Sequence, residues 1–111
     1  MVKFIITFDR PTNLTHFENA YNDLLALVER MPSIQRRQVV NVLGSPAGTP
    51  PYYRILEIYF ESVDQMNESL LSKAGQETGA ELGRRFTAGT YKAFYAEIFE
   101  EAGGSTPPIS T

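Results

Sequence analysis

The segment Pro51-Tyr52-Tyr53-Arg54-Ile55-Leu56-Glu57-Ile58-Tyr59-Phe60 constrains this chain more than any other. It is dominated by aromatic and aliphatic residues, turn formers precede it and a helix-start signal follows it, which describes a central strand. One parity carries Tyr53, Ile55, Glu57 and Tyr59; the other carries Tyr52, Arg54, Leu56, Ile58 and Phe60. Neither set is simply polar, so both faces of the sheet need cover. In a chain of 111 residues helices supply one cover, and the other calls for a second subunit.

The rest of the chain reads around that strand. Val2 to Phe8 is a first strand, closed by Asp9-Arg10-Pro11, and is too short an apolar run for a secretion signal or a membrane span. A helix follows, capped by Asn13 or by Thr15 with Glu18 in a capping box. Phe17, Ala20, Tyr21, Leu24, Val28 and Met31 form its apolar stripe, while Leu25 and Leu27 fall off it and ask for another element or subunit. Pro32-Ser33 ends the helix, and Ile34 to Leu43 reads as a strand of mixed polarity at an edge or interface. Gly44 to Pro51 is a proline-rich loop, either a stiff connection or the cover of a pocket mouth.

Ser62 and Gln65 open a second helix with Val63, Met66, Leu70 and Leu71 on its buried side. Gly75, Gly79 and Gly83 then predict a short or broken helix, because each glycine costs a helix about 1 kcal/mol relative to alanine. Their spacing is not that of a phosphate-binding loop; close approach of a helix explains them better. Thr87-Ala88-Gly89 is a turn, Thr90 to Phe99 a last strand, and Ala102 to Thr111 a mobile tail beyond a domain spanning 1–101. The order β-α-β-β-α-β predicts an α+β, ferredoxin-like sandwich: a four-stranded antiparallel sheet with helices on one face.

Composition narrows the function. Thirteen acidic and ten basic side chains, net charge −3 and no basic stripe argue against nucleic acid, and a membrane is an equally poor partner. Without cysteine there is no disulfide, thiol nucleophile or thiolate metal site, and the cytoplasm is the expected compartment. His16, the single histidine, falls in the first helical turn with no acidic or thiol companions, so no metal is expected. No flavin or nicotinamide fingerprint is present, and the cofactor expectation is none.

Candidate chemistry concentrates in Tyr21 on the helix stripe and Arg36, Tyr53, Glu57, Tyr59, Tyr91 and Tyr95 on strands. Tyrosines converging on a helix–sheet cleft suit a small apolar or aromatic ligand. Within that set Glu57 and Tyr21 are the catalytic candidates, and Tyr53, Tyr59, Tyr95 and Arg36 the ligand-binding ones. A carboxylate in an apolar strand must be paired or titrate upward, so Glu57 is either a proton-transfer group or half of an ion pair with Arg36, Arg37 or Arg54 in a dimer interface.

Phe4-Ile5-Ile6-Thr7-Phe8-Asp9-Arg10-Pro11, Phe17-x-x-x-Tyr21, Gly44-Ser45-Pro46-Ala47-Gly48 and Pro50-Pro51-Tyr52-Tyr53-Arg54 together resemble the EthD family, named from ethyl tert-butyl ether degradation. The resemblance spans about residues 2–100 and implies a dimeric α+β barrel, in which the sheets of two protomers face one another. Many relatives in this family carry a histidine late in the first helix, in a pattern like Tyr-x-x-x-His-x-Pro-Leu; here Leu24 or Leu25 stands at that place and the proline is missing. With the converging tyrosines, the expectation is a homodimer that binds a small, mostly apolar molecule in a cleft between the sheet and the first helix of each protomer, in a catabolic or biosynthetic pathway. Two alternatives are a cofactor-independent isomerase, cyclase or monooxygenase, and a structural or accessory dimer. A cavity above roughly 300 Å³ separates binding from the accessory reading.

Overall fold

A computed structural model describes residues 1–100. The chain runs β1 (Val2–Phe8), α1 (Leu14–Val28), β2 (Arg36–Asn41), β3 (Arg54–Phe60), α2 (Val63–Leu71), α3 (Lys73–Arg85) and β4 (Tyr91–Glu97). The strands form one sheet in the order β2-β3-β1-β4, and every neighbouring pair is antiparallel. The two inner strands are the most apolar segments of the chain, and hydrophobicity selects which strands take the centre. Expectations for residues 101–111 fall outside the described residues.

Register fixes what each face carries. On one face Val2, Phe4, Ile6 and Phe8 of β1 lie opposite Phe60, Ile58, Leu56 and Arg54 of β3. This face packs into a core with Phe17, Ala20, Tyr21, Leu24 and Val28 of α1, Met66 of α2 and Leu82 of α3. The sandwich is therefore ferredoxin-like, with all three helices contributing to the same side. On the other face Lys3, Ile5 and Thr7 lie opposite Tyr59, Glu57 and Ile55, next to Arg36, Gln38 and Val40 of β2. Lys92, Phe94 and Ala96 of β4 complete it.

Local chemistry explains the element ends. Asn13 caps α1, its side-chain oxygen accepting the His16 amide at 3.0 Å. Glu18 is thereby released from the capping box and reaches β3 instead. Helix α1 stops at Val28, before the buried Met31, and the chain reverses through Ser33 at φ 68°.

The expectation of a broken helix over the glycines is corrected: α3 is continuous from Lys73 to Arg85. Ser72 serves both flanking helices at once. Its hydroxyl accepts the Gly75 amide at 3.1 Å and donates to the Ser69 carbonyl at 2.6 Å. A Cβ at Gly75 would run into the Ser69 and Leu70 carbonyl oxygens, so this glycine permits the sharp junction between α2 and α3. Val63 and Leu71, expected on the buried side of α2, are exposed; Met66 is its buried apolar residue.

Candidate functional site

The sheet divides the residues singled out in the sequence into two groups. Glu57, Tyr59 and Arg36 lie on the face turned away from the helices. There the Glu57 carboxylate accepts from Lys3 Nζ at 3.0 Å and lies 3.0 Å from the Tyr59 hydroxyl. That hydroxyl is also 2.8 Å from Gln38 Oε1, so its one proton is held between two acceptors. The Arg36 guanidinium stacks 4.3 Å from the centroid of the Tyr59 ring.

The partner expected for Glu57, one of three arginines, is thus replaced by Lys3 of the same protomer. Parity is the reason. Arg37 and Arg54 project to the helix face, where Arg37 donates to the Leu25 carbonyl and Arg54 binds Glu18. Arg36 shares a face with Glu57 but is spent on the tyrosine ring.

Tyr21 and Tyr53 belong to the helix side. Tyr21 is fully buried and its hydroxyl has no partner among the described residues. Burial pushes its pKa up to about 12, against the opposing pull of the Arg54 and Arg37 charges. Beside it, Arg54 grips Glu18 in a fork, with Nη1–Oε1 and Nη2–Oε2 both 2.9 Å, and the Tyr53 hydroxyl donates to the same carboxylate at 3.1 Å. The Arg54 hydrogen bonds hold the Glu18 carboxyl below its ordinary range; the same bonds raise Arg54. Phe17, Tyr21 and Tyr53 surround the guanidinium, their ring centroids 5.5, 4.7 and 5.3 Å from Cζ. Tyr95 lies apart on the edge strand β4, 59% exposed, and Tyr91 packs on Phe86.

Next to the Arg54 cluster, an open cleft of about 530 Å³ is walled by Arg10, Val42, Leu43, Pro50, Tyr52 and Tyr53, with Gly48 and Thr49 of the β2–β3 loop; no α1 residue lines it, so the cleft expected between sheet and first helix is corrected to one beside the β2–β3 loop, because packed side chains fill the helix–sheet space. The proline-rich loop therefore forms one side of a cavity. Arg10 stacks on Tyr53, Cζ lying 5.5 Å from the ring centroid. A smaller hollow of about 140 Å³ continues from Arg10 toward His16, Phe17 and Phe86. Sequence reasoning missed Arg10 and Glu18 because each had a sufficient local explanation, in a turn and in a capping box. The signal it had was the parity of Arg54: a cation on the core face of a strand needs a carboxylate from the covering helix.

This is a ferredoxin-like α+β sandwich with an aromatic cleft at the end of its central strands. No protein-family model matches the chain. An uncharacterized 11.0 kDa protein from the thcB–thcC intergenic region of Rhodococcus erythropolis is 24% identical over 98 residues, covering 87% of this chain and 95% of that protein. Among solved structures, an EthD family protein from Bacillus halodurans superposes with a TM-score of 0.83 at 22% identity, covering 89% of this chain and 99% of the other. The EthD likeness read in the sequence thus has its counterpart in the fold. A hydroxynitrile lyase from Passiflora edulis gives 0.71 at 15% identity, covering 92% and 96% of the two chains. A dimeric ferredoxin-like protein of unknown function from Jannaschia sp. gives 0.65 at 11%, covering 87% and 98%.

Proposed function

We propose that this chain is an EthD-type homodimer that binds a small, mostly apolar or aromatic molecule in the cleft beside Tyr53. The observation that carries this reading is the cleft itself. At about 530 Å³ it lies within the ordinary size range of ligand pockets, and two aromatic rings, aliphatic side chains and a single guanidinium wall it. Tyr53 and Arg10 are its recognition residues, with Tyr21 and Arg54 behind them. Glu57, Tyr59 and Arg36 serve the other face of the sheet, which a second protomer covers, as the dimeric relative of the same fold supports.

A catalytic variant of this reading, a cofactor-independent isomerase, cyclase or monooxygenase, draws support from a cofactor-independent oxygenase of Streptomyces nogalater that shares the fold with a TM-score of 0.65. Glu57, on the far side of the sheet, does not act on a molecule in the cleft in that variant.

2-Naphthol, an apolar aromatic that is neutral at pH 7, tests the binding reading by its own fluorescence. It is expected to bind the full chain saturably, and Tyr53→Leu to weaken binding by about tenfold. Absence of saturable binding, or affinity untouched by Tyr53→Leu, turns the balance to the accessory dimer.

A further inference from the structure

Resting on the cleft reading above, we infer that the molecule bound there carries a carboxylate, and that Glu18 holds the place of that group on Arg54 until the ligand displaces it. The two halves of the ion pair are unequally fixed. Arg54 keeps 12% of its side-chain surface exposed and is enclosed by three aromatic rings, whereas Glu18 keeps 39% and stands on a helix flank in reach of water. A guanidinium enclosed in this way stays where it is; a half-exposed carboxylate swings into solvent at small cost.

Tyr53 joins the pair to the cleft. Its hydroxyl donates to Glu18 while its ring forms the cleft wall. Two guanidiniums approach that one ring, Arg10 at 5.5 Å on the cleft side and Arg54 at 5.3 Å. Arg10 takes part in no ion pair among the described residues. A carboxylate entering past Tyr53 therefore finds one cation already bound to a carboxylate and one still free. Exchange leaves the charge at Arg54 unchanged, since one carboxylate replaces another in the same fork, and Arg10, on the cleft lining beside Tyr53, attracts the carboxylate as it enters. Arg54 Nε and the Tyr21 hydroxyl, both buried and without a partner among the described residues, offer further hydrogen bonds beside the fork.

The experiment compares 2-naphthoate with 2-naphthol, two probes with the same apolar body, one with and one without the carboxylate. Both are titrated by fluorescence into the full chain and its Glu18→Gln variant. The variant is expected to bind 2-naphthoate about tenfold more tightly than the parent while 2-naphthol changes by less than about twofold. In the parent, the side-chain carboxyl carbon resonance of Glu18 is expected to shift to its solvent-exposed position on saturation with 2-naphthoate, but not with 2-naphthol. This second readout needs no substitution and holds even where Glu18→Gln fails to fold.

Naphthoate affinity unchanged or weakened in the variant, or a Glu18 resonance that stays in place at saturation, overturns the displacement; if 2-naphthol still binds through Tyr53, the cleft reading survives it. Failure of both probes to bind parent and variant overturns both.

Discussion

Tyr21 carries a buried hydroxyl without a partner among the described residues. Burial of an unpaired phenol gives it a stability signature. Its pKa lies at 10.0 when free and about 12 in the fold. Between these values the folded chain holds a proton that the unfolded chain has released, so stability is fully present below pH 10 and falls as pH rises toward 12. Tyr21→Phe is expected to leave the neutral-pH melting temperature unchanged, or to raise stability by up to about 1 kcal/mol, by removing an unsatisfied polar group. It should also flatten the alkaline limb of the stability curve. Chemical denaturation at pH 7, 10 and 11.5 measures both; a clear loss at pH 7 would mean the hydroxyl has a partner in solution. Glu57 was legible as a residue in need of a partner, whereas Lys3 was hidden because its choice requires the β1–β3 register.

At the level of elements, the strands and the first helix follow from periodicity, and only their ends moved: β2 is shorter than the Ile34–Leu43 run, and α1 ends before Met31. The element that sequence reasoning misjudged is α3, because propensity counts each glycine equally while the fold does not. At Gly75 an added Cβ strikes backbone carbonyls; at Gly79 and Gly83 it meets nothing within 4 Å. Alanine therefore has opposite expected effects along one helix. Gly75→Ala should cost about 2 kcal/mol or more by forcing α2 and α3 apart, and Gly79→Ala should gain up to about 1 kcal/mol from lower chain entropy in the unfolded state. Thermal melts of the two variants decide this: equal effects would mean the α2–α3 junction yields freely. The continuity of α3 matters for the whole layer, since Arg85 near its end bonds both Glu81 and Asp23 of α1 and ties the two helices together.

For the molecule as a whole, the need for a second cover arose from the two-sided apolarity of the central strand, and the helices all lie against one face. The other face leaves Phe94 46% exposed beside Ile5, and at its centre sits the Lys3–Glu57–Tyr59 network. In a lone protomer the side chains of Lys3 and Glu57 keep 26% and 17% of their surface, so water screens the pair and it contributes on the order of 1 kcal/mol or less. When a second sheet covers the face, that screening is lost. Glu57→Gln then leaves an ammonium buried without its counter-charge, at about 3 kcal/mol or more, and two-fold symmetry places the defect twice in each dimer. The expected result is a dissociation constant raised by on the order of ten-thousandfold, with the fold of the separated protomer nearly unaffected. Sedimentation equilibrium at micromolar concentration, paired with circular dichroism of the same samples, reads the two quantities separately. A parent that sediments as a folded monomer removes the dimer, and a variant dimer as tight as the parent means the Lys3–Glu57 pair stays in water after assembly and the sheets do not meet at their centres.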